Sequence, residues 1–173
     1  MCASGTITTW CPTSRTCADK VAAWKQAHNA LTITVNQLPA EGEPLPDLCF
    51  FSNPKRYDYW KHDPRFAQVD KVLTSNLCES EGEGQWVVNI APLLRPGFKY
   101  ADNAALLLLT LLDGCRPAAV GLAGLDGYDV DKKNFTTQDM ERRFEAQQAA
   151  VINQGIAGAL ADLAARRKGV LPV

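Results

Sequence analysis

Apolar and polar positions along the 173-residue chain follow two rhythms. Short runs rich in β-branched and aromatic residues predict strands at Thr6–Trp10, Leu31–Val35, Leu48–Phe51, Val69–Leu73, Trp86–Val88 and Ala118–Leu125. Gly169–Val173 can add a last short strand. Between them, apolar residues recur at helical spacing. Val21, Ala22 and Trp24 mark one face of a helix from Cys17 to about His28, and Pro54 opens a short helical or turn segment. Asp102 as N-cap and Gly114 as the residue past the end bracket a helix over Asn103–Asp113. That helix is apolar on nearly every face, which predicts burial. A long helix starts near Thr136 or Thr137 and carries Met140, Phe144, Val151, Ile152, Ile156, Leu160 and Leu163 at helical spacing. Strands alternate with helices and the inner strands are continuously apolar. The expected fold is therefore α/β: a three-layer, Rossmann-like domain, its mostly parallel sheet covered by helices on both faces. One domain spanning 1–173 is expected, with no internal repeat or linker.

The polar positions add a second pattern. Strand after strand ends in a small polar side chain: Asn36, Ser52-Asn53, Thr74-Ser75-Asn76, Asn89 and Asp126. In open parallel sheets a ligand lies beyond the carboxyl ends of the strands, near the point where strand order reverses. Asn, Ser and Thr offer uncharged donors and acceptors there, which suits ribose, a base edge or sugar hydroxyls. The same residues are also common in turns, where they bond to their own backbone. The start of the helix at Asn103 adds a partial positive charge suited to phosphate or carboxylate. Thr13 and Ser14 follow the first strand, Arg56 can neutralise a phosphate and Tyr57 can stack or donate a hydrogen bond. Asp126-Gly127-Tyr128-Asp129 offers a metal ligand or a general base or, equally, a plain Asp-Gly turn. Lys55, His28 and His62 read better as solvated surface residues.

Composition narrows the choices. Apolar residues make up 46% and charged residues 21%, ordinary globular usage, and the net charge of −1 gives no basic face for nucleic acid or anionic membrane. The longest apolar run, Ala104–Leu112, is less than half of the roughly 18–20 residues that a membrane span requires. No basic segment followed by an apolar run opens the chain, so no signal peptide is read there, and a reducing, cytoplasmic setting is expected. The six cysteines include no C-x-x-C pair, and only two histidines accompany them, so structural thiols are expected rather than disulfides or a metal site. Neither G-x-x-x-x-G-K-[ST] nor G-x-G-x-x-G is present, nor is a G-x-S-x-G elbow. No cofactor is called for. The expected partner is a small molecule, and the long last helix leaves room for a homodimer.

The same residues carry a family likeness. Val35-Asn36 followed by Phe50-Phe51-Ser52-Asn53-Pro54-Lys55-Arg56-Tyr57 resembles a "vN … fxSNxKRY" segment. That segment belongs to the carboxyl-terminal domain of bacterial HMG-CoA-lyase-type or 4-hydroxy-2-oxovalerate-aldolase-like proteins of polysaccharide clusters. Leu73-Thr74-Ser75-Asn76, Val87-Val88-Asn89, Asp102-Asn103-Ala104 and Leu122-Ala123-Gly124-Leu125-Asp126-Gly127-Tyr128 continue it in order, over roughly residues 5 to 165. The wider group is similar to bacterial sialyltransferases that use CMP-sialic acid, and to motility-accessory and pterin-diphosphokinase-like domains. The resemblance implies a nucleotide or nucleotide-sugar site, with Asn36 and the Asp102-Asn103 turn near the nucleotide. Two features depart from it. Cys11-Pro12-Thr13-Ser14 stands where the family has a Gly-Pro-Ser or Gly-x-Ser loop, without the glycine. Between Asp129 and Asn134 there is no counterpart of the sialyltransferases' lid histidine. Two readings stay open: a glycosyltransferase-like enzyme of surface-glycan metabolism with Asp126 or Asp129 as base, or an accessory module that kept the fold and lost catalysis.

Overall fold

The computed structural model describes residues 6–10, 15–77, 84–125, 128, 145–166 and 170–172. Seven strands form one sheet: β1 (Thr6–Trp10), β2 (Leu31–Val35), β3 (Leu48–Phe51), β4 (Asp70–Thr74), β5 (Gln85–Val88), β6 (Ala119–Ala123) and β7 (Val170–Pro172). Their order is β5-β4-β3-β2-β1-β6-β7, and every pairing is parallel. The helices are α1 (Arg15–His28), α2 (Pro54–Trp60), α3 (Ala104–Cys115) and α4 (Ala146–Arg166). A short 3-10 turn at Pro64–Gln68, which the sequence pattern does not announce, leads into β4.

Strand order turns round at β1. From β1 to β5 each connection steps to the next strand in one direction, then the chain crosses back to β6 on the other side of β1 and moves outward to β7. Parallel crossovers are right-handed, so the first set of connections covers one face and the second set the other. The packing agrees. Alternate residues of β3 face opposite ways: Cys49 and Phe51 join Leu73 under Trp60 of α2 and Phe66. Phe50 joins Ile33 and Val120 under Leu107, Leu108 and Leu112 of α3. The α/β three-layer, Rossmann-like expectation holds.

The all-round apolar character of α3 has a plain cause. Leu107, Leu108 and Leu112 face the sheet, while Leu106 and Leu109 face Ala149, Ile152, Ile156 and Leu163 of α4. Ile152, Ile156, Leu160 and Leu163 of the apolar stripe of α4 thus pack within the chain. What α4 leaves exposed includes Ala150, Ala157, Ala161 and Ala164. The expected start of this helix near Thr136 lies outside the described residues, as do Met140 and Phe144.

Both expected ends of α3 shift. Asn103, not Asp102, is the N-cap: its Oδ1 accepts from Ala105 N at 3.0 Å and Leu106 N at 3.4 Å. Asp102 stands one residue too early to reach those groups. At the other end the helix runs through Gly114, and Arg116 takes the left-handed conformation at φ 53°. Pro117 disfavours right-handed helix at the residue before it, which fixes the stop there.

Candidate functional site

In a parallel sheet all carboxyl ends lie on one edge, so the topology brings together the polar exits of β2 to β5. They are bonded to one another. Asn36 adopts a left-handed conformation at φ 55°, which asparagine tolerates better than most residues. Its Oδ1 accepts from Ser52 N at 2.9 Å and Asn53 N at 3.2 Å, joining the exit of β2 to that of β3. Asn76 Nδ2 donates to Ser52 O at 3.0 Å and Thr74 Oγ1 to Phe51 O at 3.3 Å, joining β4 to β3. Ser75 Oγ accepts from Ile90 N at 3.2 Å, joining β4 to the exit of β5, where Asn89 Oδ1 accepts from Ala91 N at 3.0 Å. Asn53 Oδ1 caps α2 through Arg56 N at 3.1 Å. Each contact ties one segment's main chain to a neighbouring side chain, which is the turn-stabilising role of these residue types.

Arg56 is half-buried in the first turn of α2. The Tyr57 ring is half-buried and makes T-shaped contacts with Phe51 and Phe66, at 6.2 and 5.9 Å between centroids. Lys55 and His62 are exposed, and His28 is exposed against Trp24.

A different arrangement stands at the exit of β6. Asn103 Nδ2 donates to Tyr128 Oη at 3.2 Å, while the Tyr128 main chain is gripped from both sides by Asn153 of α4. Tyr128 N donates to Asn153 Oδ1 at 2.7 Å, and Asn153 Nδ2 donates to Tyr128 O at 2.9 Å. The Tyr128 ring packs with Leu122 and Leu125 on the α3–α4 core. Three elements therefore meet here: the first turn of α3, the segment after β6 and the middle of α4. Strand order reverses between β1 and β6, so this is the switch-point side of the edge. Asn153 is a residue that sequence reasoning missed. Its signal was a polar side chain directly after the apolar run Ala149-Ala150-Val151-Ile152. Thr13, Ser14, Asp126 and Asp129 lie outside the described residues.

Charge is concentrated elsewhere. At the opposite edge Asp47 accepts from Thr32 N and Oγ1, each at 2.7 Å, and pairs with Lys25 Nζ at 2.6 Å. Burial pushes its carboxyl up, but hydrogen bonds from Lys25 and Thr32, with the Lys25 charge, outweigh it and hold it below the usual range. Cys49 is fully buried, and burial drives its thiol up to about 11 against the opposing pull of Thr34 and Lys71, so it stays a neutral thiol. Among the described residues no group of three His, Cys, Asp or Glu side chains is placed to hold a metal, and no helix is long and apolar enough to cross a membrane.

Fold and edge together define a doubly wound, parallel α/β protein whose polar carboxyl edge carries two constellations, one that joins strand exits to one another and one that ties the start of α3 and the middle of α4 to Tyr128. Comparison with protein-family models, with curated proteins and with solved structures finds no match for the chain.

Proposed function

We propose that the chain binds a nucleotide, a nucleotide sugar or a phosphorylated small molecule at the carboxyl edge of its sheet, as a glycosyltransferase-like protein of surface-glycan metabolism. The observation that supports this most is the reversal of strand order between β1 and β6 beside the Asn103-capped start of α3. A crevice at such a point is open to ligand because the connections on either side leave in opposite directions. The 12-residue α3 directs its partial positive end to the same edge, where a phosphate would be favoured. Tyr128 supplies an aromatic ring and Asn103 an amide, groups suited to a base or ribose. For catalysis, Asp126 or Asp129 would act as base on an acceptor hydroxyl.

A second reading rests on the exits of β2 to β5. Asn36, Asn53, Ser75 and Asn89 each already spend a side-chain oxygen on main-chain N–H groups. A module that needs its edge only for stability, and acts by binding a partner protein, would look the same there.

A thermal-shift screen with CMP, CDP, UDP, GDP, ATP, CMP-sialic acid and simple sugar phosphates separates the two. A ligand at about 100 times its dissociation constant stabilises the fold by roughly 2.7 kcal/mol, a readable shift. A shift with one nucleotide supports the ligand-binding reading, and no shift with any of them favours the accessory module. For the catalytic extension, Asp126→Asn is expected to abolish turnover of the nucleotide sugar so identified while leaving the melting temperature in place. Unchanged turnover removes Asp126 from the mechanism.

A further inference from the structure

The segment that leads into α3 is pinned to α4. The Phe98 ring lies over Gly155 and Gly158, where an added Cβ would stand 3.4 and 3.7 Å from ring carbons. Arg95 Nη2 lies 3.2 Å from Asp162 Oδ2. Lys99 and Tyr100 are thereby fixed as one wall of a cleft of about 260 Å³, whose other wall is Glu145, Gln147 and Gln148 at the start of α4. Tyr100 holds φ at 66°, a left-handed conformation that a bulky aromatic residue rarely adopts and that costs energy to keep. Its ring packs on the same α3–α4 core as Tyr128, and its carbonyl accepts from Asn103 N. Tyr100, in the cleft wall, is thus hydrogen-bonded to the cap residue of α3.

We infer that this cleft takes an uncharged monosaccharide ring, the sugar end of a nucleotide sugar whose nucleotide end lies at the switch point; the inference rests on the proposed ligand site. Size is the first reason. Pockets for whole small-molecule ligands begin near 300 Å³, so about 260 Å³ holds one ring and not a nucleotide with its sugar. Chemistry is the second. Two amides, a carboxylate and an ammonium supply donors and acceptors for hydroxyl groups, beside the Tyr100 ring. Charge is the third. Among the described residues of the lining, Lys99 and Glu145 balance and the Lys99 ammonium lies 5.5 Å from the Tyr100 ring, so these residues hold no surplus positive charge for a carboxylate or phosphate.

The test is calorimetric titration of the whole chain with UDP, UDP-glucose, GDP, GDP-mannose, CMP and CMP-sialic acid, alongside saturation-transfer NMR with free glucose, galactose and mannose. The double variant Gln147→Ala/Gln148→Ala, which keeps good helix formers in α4, is run in parallel. The expected result is that one neutral-sugar nucleotide binds at least 5-fold tighter than its parent nucleotide, and that the double variant erases the difference. A nucleotide that binds equally with and without its hexose overturns the inference and leaves the switch-point reading standing. Preference for CMP-sialic acid over CMP also overturns it, because the cleft would then favour a carboxylate. Should no nucleotide bind, saturation transfer to a free hexose that vanishes in the double variant supports the cleft and overturns the nucleotide reading. Absence of both signals overturns the two together.

Discussion

The exits of β2 to β5 and the exit of β6 share one edge of one sheet, yet they use the same kinds of side chain differently. At β2 to β5 an asparagine or serine reaches sideways to the main chain of the next segment, so that the edge is stapled strand to strand. At β6 an asparagine of α3 meets the side chain of a tyrosine after the strand, and an asparagine of α4 grips that tyrosine's main chain, so that two helices and the strand exit are held in one place. A row of polar residues at strand ends is thus no measure of a binding site by itself. What distinguishes one stretch of the edge from another is topology, which opens a crevice only where the strand order reverses.

The comparison can be broken most forcefully at Asn36. Asn36→Ala removes the acceptor for two main-chain N–H groups and puts alanine in left-handed backbone. With roughly 0.5–1.5 kcal/mol for each of the two lost hydrogen bonds and about 1–2 kcal/mol for the backbone, the expected loss is about 2–5 kcal/mol in urea denaturation. Asn36→Gly, which keeps the backbone at ease, is expected to lose about half as much. Full stability in Asn36→Ala with loss of ligand binding would reassign Asn36 from staple to ligand contact.

Asn153→Ala is expected to cost about 1–2 kcal/mol by removing both bonds to the Tyr128 main chain. It should also raise amide hydrogen exchange around Tyr128 without affecting β2 to β4. Equal loosening at both places would mean that the two constellations are one.

Asn103→Asp sharpens the distinction further. The carboxylate keeps the cap on Ala105 and Leu106 and suits the positive end of α3, so stability is expected to stay within about 0.5 kcal/mol. The amide donor to Tyr128 is lost and a negative charge enters the proposed phosphate position, so nucleotide affinity is expected to fall at least 10-fold. Unchanged affinity would move the ligand away from α3.

The smallest effect is at the opposite edge. The Asp47 carboxyl is held below its ordinary value of 3.8, so acid protonation favours the unfolded chain. Its contribution is complete above that ordinary value and is lost as pH falls through the lower, folded value. In acid titrations followed by circular dichroism, Asp47→Asn is expected to flatten part of the stability loss below about pH 4. It should not alter nucleotide binding at neutral pH.

The fold was largely legible in the sequence because the strands are buried on both faces and therefore read as apolar runs, as at Leu48–Phe51, where all but Leu48 are fully buried. Helix ends were less legible. Asn103 and Asp102 are adjacent residues that both suit an N-cap, and only the three-dimensional path of the chain decides between them. The candidate site was half legible. The polar residue types at the carboxyl edge could be listed from sequence, but the partners of Asn36, Ser75, Asn76 and Asn103 are 15 to 25 residues away, and no local pattern shows whether those side chains meet backbone or another side chain. Asn153 escaped for the same reason, since its partner is 25 residues away.

The most direct test is an amide NMR titration of the ¹⁵N-labelled chain with CMP, UDP and GDP. Binding at the switch point predicts shifts confined to Ala105 and Leu106 at the start of α3, to Tyr128 and to the Gly124–Leu125 exit of β6, with Thr32 and Asp47 unmoved. Shifts centred on the Asn36–Asn53–Asn76 staples or on the Asp47 edge, or none with any nucleotide, would contradict it.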